Sequence, residues 1–118
     1  MSLSYQDLTV WQKAMDLVEE TYKLVKLLPK EEKYALGDQM RRAAVSIPSN
    51  IAEGKTRTSV KEYLQFLSIA RGSTSELNTQ LLICNRLNLL SKEETEKAVN
   101  LCDETGRMLY GLISSLKS

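Results

Sequence analysis

Arg41-Arg42-Ala43-Ala44-Val45-Ser46-Ile47-Pro48-Ser49-Asn50-Ile51-Ala52-Glu53-Gly54 reads as the later half of a helix with a proline in its middle. Pro48 has no N–H to give the carbonyl of Ala44, and its ring crowds that carbonyl. The freed carbonyl needs another partner, for which Ser46, Ser49, Asn50 or a water is suited. A chain built only for helical stability would not place proline here, so shape or recognition outranks local stability at this point. Gly54 is expected at the C′ position, where positive φ is tolerated.

Working outward, Leu36, Met40, Ala43 or Ala44, Ile47 and Ile51 form the apolar stripe of this helix, which is expected to begin near Pro29. Glu31 and Glu32 fall in its first turn, where the helix dipole favours acids. Upstream, Val10, Ala14, Leu17, Thr21, Leu24 and Leu28 make one helical stripe over about Leu8 to Leu27. Trp11, Met15, Val18, Tyr22 and Val25 lie beside it and broaden the apolar face. Downstream, Ser59-Val60-Lys61-Glu62 matches a capping box and opens a third helix from Val60 to about Leu89, ~45 Å long. Ser91-Lys92-Glu93-Glu94 is a second capping box. The fourth helix runs on to about Leu116, with Ala98, Leu101, Cys102, Thr105, Met108, Leu109, Leu112, Ile113 and Leu116 inward. Connections are short, so neighbours should be antiparallel. The expected architecture is all-α, an up-down-up-down four-helix bundle formed by residues 1–118 as one domain. No alternating strand pattern and no internal repeat is present.

The third helix carries more than a bundle needs. Ser68, Gly72, Ser75 and Thr79 recur at three- and four-residue steps and share one face. Gly72 costs about 1 kcal/mol relative to alanine in a helix interior, which calls for a packing reason. Tyr63, Phe66, Leu67, Ile69 and Ala70 already provide a core-facing surface. The surplus face predicts a subunit interface, with Ser68, Gly72, Ser75 and Thr79 as one half and the Pro48 region as the other.

The formal net charge is +1 with no histidine in the chain, which excludes histidine-based acid–base or metal chemistry. Between Arg41 and Lys61, however, the bases Arg41, Arg42, Lys55, Arg57 and Lys61 face a single acid, Glu53. Such a basic stripe attracts phosphate even in a neutral chain. Cys84 and Cys102 sit among apolar helical positions and are expected as buried reduced thiols. No CxxC, Glu-x-x-His, P-loop or GxGxxG occurs, so no metal or cofactor is expected and the chain is not read as an enzyme. No apolar run approaches the roughly 18 residues of a membrane helix. The chain opens without a basic stretch followed by an apolar one, so a cytoplasmic location is expected.

Several runs resemble a known family. They are Leu8-Thr9-Val10-Trp11-Gln12-Lys13-Ala14, the stretch Gln39 to Gly54, Arg57, Ser59, Glu62-Tyr63, Phe66-Leu67, Ala70-Arg71-Gly72-Ser73 and Glu76-Leu77. Together they are similar to the small bacterial proteins encoded in intervening sequences of 23S ribosomal RNA genes. The resemblance covers essentially the whole chain. It implies a bundle that assembles into a homopentameric, barrel-like ring. A related branch, the accessory variability proteins of diversity-generating retroelements, comprises basic pentamers that bind nucleic acid and a reverse transcriptase. The present chain is less basic than that branch.

Two functions follow as expectations. The first is a homo-oligomer, a pentamer by the resemblance, that binds structured RNA or DNA through Arg41, Arg42, Lys55, Arg57, Lys61 and Arg71. It would contact mainly phosphate. The second is a scaffold that presents its ring to a protein partner, with the arginines satisfying carboxylates such as Glu53, Glu62 or Glu76 at subunit boundaries. Arg41 and Arg42 leave a helix about 100° apart, so one can be structural while the other faces solvent.

Overall fold

The computed structural model describes residues 4–118. A single 3-10 turn, Tyr5–Asp7, precedes α1 (Thr9–Val25). One turn of helix, α2 (Lys30–Lys33), leads into α3 (Leu36–Lys55), followed by α4 (Val60–Arg86) and α5 (Lys92–Lys117). Among the described residues there is no strand. The molecule is a rod of 46 × 21 × 20 Å.

The four long helices meet along their apolar stripes, as amphipathic helices must to remove those stripes from water. Val10, Ala14, Leu17, Thr21, Leu24 and Leu28 are all buried, as the period of α1 predicts. From α3 come Met40, Ala43, Ala44, Ile47 and Ile51; from α4, Leu67, Ala70, Leu77, Leu81 and Cys84; from α5, Ala98, Cys102, Leu109 and Ile113. α1 packs on α3 and α5, and α4 packs on the same two, so the helices stand as a square in the order α1, α3, α4, α5. Contacts order the neighbours along the rod. Met40 meets Cys84, Ser46 meets Ser73, and Gly54 lies against Tyr63 and Phe66. Lys13 pairs with Glu104 and Glu20 with Lys97.

Three expectations change. The helix expected from Pro29 to Gly54 is broken at Tyr34 and Ala35, where Ala35 (φ −117°, ψ −93°) leaves helical geometry. The break lets Gly37 press on the end of α1; a Cβ there would lie 2.8 Å from Val25 Cγ1. Next, α3 runs through Pro48 as expected, with Pro48 buried within its own chain, but the side-chain partner expected at the Ala44 carbonyl is not found among the described residues. The side-chain bonds around it go to Ser46, not to Ala44: Asn50 Nδ2 donates to the Ser46 carbonyl at 2.8 Å and to its Oγ at 2.9 Å. Finally, Gly54 is inside α3, and no glycine has positive φ among the described residues. Its reason is space, because an added Cβ would sit 2.8 Å from Phe66 Cβ and 2.9 Å from Tyr63 Cδ1.

Caps set the remaining boundaries. Ser91 and Glu94 form the full reciprocal box, while at Ser59 the hydroxyl accepts from the Glu62 N–H and itself donates to the Glu62 carboxylate. Leaving α4, Asn88 takes φ 59°, and Leu89 N–H returns to the Cys84 carbonyl at 2.8 Å. That is a Schellman ending with asparagine at C′. Asn85 Nδ2 then donates to the Leu90 carbonyl and to Thr95 Oγ1, tying the end of α4 to the start of α5.

Gly54→Ala is expected to lower stability by about 1–3 kcal/mol through overpacking of α3 on α4. Gly111→Ala, where an added Cβ meets nothing within 4 Å, should raise it by about 0.5–1 kcal/mol through helix propensity. Denaturant unfolding of the two variants checks the opposite signs.

Candidate nucleic-acid interface and subunit face

The candidate cations of α3 diverge in role. Arg41 is half-buried: its Nη2 donates to the Asp38 carboxylate and to the Lys33 carbonyl, the latter at 3.1 Å. Its guanidinium lies 6.0 Å from the Tyr22 ring centroid. Arg41 therefore ties the α2–α3 break to α1. Arg42 points to solvent and makes no ion pair, side-chain hydrogen bond or ring contact among the described residues.

At the α3–α4 connection, Lys55 Nζ sits 5.9 Å from the Tyr63 centroid and the Arg57 guanidinium 4.9 Å from that of Phe66. Arg57 also approaches Glu53 Oε2 at 3.4 Å. Lys61, in the first turn of α4, is exposed and unpaired among the described residues. Arg71 covers Tyr110 of α5 at 5.1 Å. These are cation–π contacts, which hold a guanidinium flat on a ring while its N–H edge stays available.

The cations thus do not form one stripe. Arg41 bridges α3 to α1 and Arg71 bridges α4 to α5, on opposite sides of the square. Arg42 lies ~20 Å along α3 from Lys55. Only Lys55, Arg57 and Lys61 gather in one place, around the connection between α3 and α4.

Ser68, Gly72, Ser75 and Thr79 all face solvent, opposite the buried stripe of α4. A Cβ on Gly72 would meet nothing within 4 Å, so no packing inside its own chain requires the glycine. Thr79 Oγ1 turns back to the Ser75 carbonyl at 2.9 Å. Ile69, expected in the core, is 51% exposed, and Leu82 is 52% exposed. Pro48 is different, since it is buried within its own chain.

The sequence reading missed two features. One is the seam between α3 and α4, where the Ser46 and Ser73 hydroxyls lie 2.8 Å apart; the spacing of Ser46 and Asn50 was its only signal. The other is an open groove of about 620 Å³ between α4 and α5, bordered by Arg71, Asn78, Asp103, Arg107 and Tyr110. Asn78 Oδ1 is buried there without a partner.

Reactive groups are held quiet. Both cysteines are free and buried. Burial pushes the Cys102 thiol up to about 12, and burial with the nearby Glu32 charge raises Cys84. Burial also raises the Tyr63 phenol. Among the described residues no three of His, Cys, Asp and Glu group as for a metal ion, and no helix is long and apolar enough to cross a membrane. At pH 8 neither thiol is expected to react with iodoacetamide in the folded protein, whereas both should react in denaturant, because only a thiolate is nucleophilic; mass spectrometry reads the difference.

No curated protein matches the chain. Among solved structures it is similar to a protein of unknown function from the S23 ribosomal protein family of Bacteroides thetaiotaomicron VPI-5482. The two are 24% identical with a TM-score of 0.83, over 89% of this chain and 98% of that one. At that identity the likeness shows a common fold. The sequence model described as 23S rRNA-intervening sequence protein matches residues 6–111. The chain therefore belongs to the 23S rRNA-intervening sequence protein family.

Proposed function

We propose that this protein is a non-enzymatic, antiparallel up-down-up-down bundle of the cytoplasm. It assembles into a homo-oligomeric ring, of five copies by the resemblance above, and contacts structured RNA through phosphate. The antiparallel reading is supported by the contacts of Met40 with Cys84, Ser46 with Ser73 and Gly54 with Tyr63, whose numbers rise on α3 as they fall on α4. Assembly is supported by the solvent-facing Ser68, Gly72, Ser75 and Thr79, flanked by Ile69 and Leu82. The family description, 23S rRNA-intervening sequence protein, favours RNA as the partner.

The observation that carries the RNA reading is the collection of Lys55, Arg57 and Lys61 at the α3–α4 connection. Lys55 and Arg57 are steadied on rings, so less side-chain freedom is lost when a phosphate binds. A ring repeats this end once per subunit, and modest contacts then act together on one strand. Tyr63 and Phe66 are half-buried beneath those cations, which leaves them poorly placed to stack on bases. Binding by phosphate alone reads shape and charge, not sequence. A second reading, a scaffold for a protein partner without RNA, is favoured by Arg41, whose Nη2 is engaged by Asp38 and Lys33.

A mobility-shift titration with structured ribosomal RNA separates the two. Affinity should fall at least roughly tenfold between 50 and 200 mM salt, and Arg57→Glu with Lys61→Glu should abolish the shift while the solution mass stays unchanged. No salt-sensitive binding at micromolar protein, or loss of the oligomer in the double variant, turns the conclusion to the scaffold. For the assembly itself, Gly72→Leu should reduce the solution mass by overpacking the α4 face. An unchanged mass removes that face from the interface.

A further inference from the structure

A ring requires two different faces on each subunit, and Pro48 itself is buried. The α1–α3 side offers a second face. Trp11, Met15, Val18 and Tyr22 recur at steps of four, three and four and form one ridge on α1, on the side that meets α3 through Tyr22 and Arg41. Met15 and Tyr22 on this ridge are 40% and 43% exposed, and Val45 across from them on α3 is 40% exposed. Tyr22, Val45 and the neighbouring Asp38, Arg41, Arg42 and Ser46 line an open groove of about 520 Å³. Tyr22 and Val45 thus stand uncovered in the groove, Met15 lies on the same α1 ridge outside its lining, and an unpaired cation, Arg42, rims it.

The outer face of α4 has the complementary character. It is small where the groove is bulky, with an unobstructed Gly72 and short side chains on either side of it along the helix. Glu76, one helical step beyond Gly72, is exposed and has no ion pair among the described residues. Size and charge therefore match: bulk against space, and a free arginine against a free glutamate.

We infer that the α1–α3 groove receives the outer face of α4 from a second copy of this chain. Met15, Tyr22 and Val45 close over Gly72 and Ser75, and Arg42 meets Glu76. This rests on the homo-oligomer reading and specifies which surfaces join. In the square of helices α4 stands diagonally from α1, so the two faces are neither the same patch nor directly opposed. Each copy then receives one neighbour and is received by another, and successive copies turn, as ring closure requires.

The test introduces Val45→Cys and Ser75→Cys into one chain, and each alone into two control chains. After mild oxidation, the doubly substituted protein should give a ladder of covalent multimers on a non-reducing denaturing gel. The ladder should end at the subunit number of the ring. Each single variant should stay at monomer mass, because the native thiols are buried. Independently, Arg42→Glu or Glu76→Arg alone should raise the concentration at which the oligomer dissociates about fivefold, and the two together should restore it. A multimeric parent protein whose double-cysteine form yields no ladder overturns the pairing and leaves the assembly standing. Self-linking by Val45→Cys alone overturns it in favour of a two-fold contact. A monomeric parent protein overturns both readings and leaves the groove to a different protein.

Discussion

The close approach of α3 and α4 is the constraint on which the rest of the molecule depends. At Gly54 the two helices come so near that a methyl group does not fit between α3 and the Tyr63–Phe66 turn. Further along, alanines at 43 and 44 keep α3 slim where it enters the core. Ser46 and Ser73 close the seam by a hydrogen bond instead of by bulk. Since packed interiors tolerate neither voids nor excess volume, this pair sets the distance at which α1 and α5 complete the square.

That packing also decides what the charged residues do. Tyr63 and Phe66 are drawn against Gly54 at the end of the rod, and their outer surfaces become platforms for Lys55 and Arg57. Tyr22 and Tyr110 do the same for Arg41 and Arg71 on opposite sides. A cation on a ring keeps its charge but loses freedom. The basic character read along the chain is therefore divided into a structural clasp at Arg41, a clustered end at the α3–α4 connection, and isolated cations such as Arg42. The thiols follow the same logic, since placement in the core keeps Cys84 and Cys102 neutral and unreactive.

The surface left over is uneven. Each long helix buries one stripe, yet α1 and α4 carry apolar or small residues beyond that stripe. Met15, Tyr22 and Val45 remain outside on one side, and Ser68, Gly72, Ser75 and Thr79 on another. A bundle with one core has no use for a bare glycine facing water on its longest helix, because that residue weakens the helix and packs against nothing. The proposed assembly of identical copies gives both faces a purpose.

The amino-acid pattern alone determined the number of the long helices, the passage of one helix through Pro48, the buried stripe of α1, the serine caps at Ser59 and Ser91, and the small-residue face of α4. These are local properties, because period and cap chemistry depend on neighbours within one or two turns. Only the tertiary structure decided the break at Ala35, the pairing of Asn50 with Ser46, the role of Gly54 and the exposure of Ile69. It alone also distributed the cations among Tyr22, Tyr63, Phe66 and Tyr110. Each of those depends on how near a second helix comes and in which direction, and no spacing along a single helix encodes that distance.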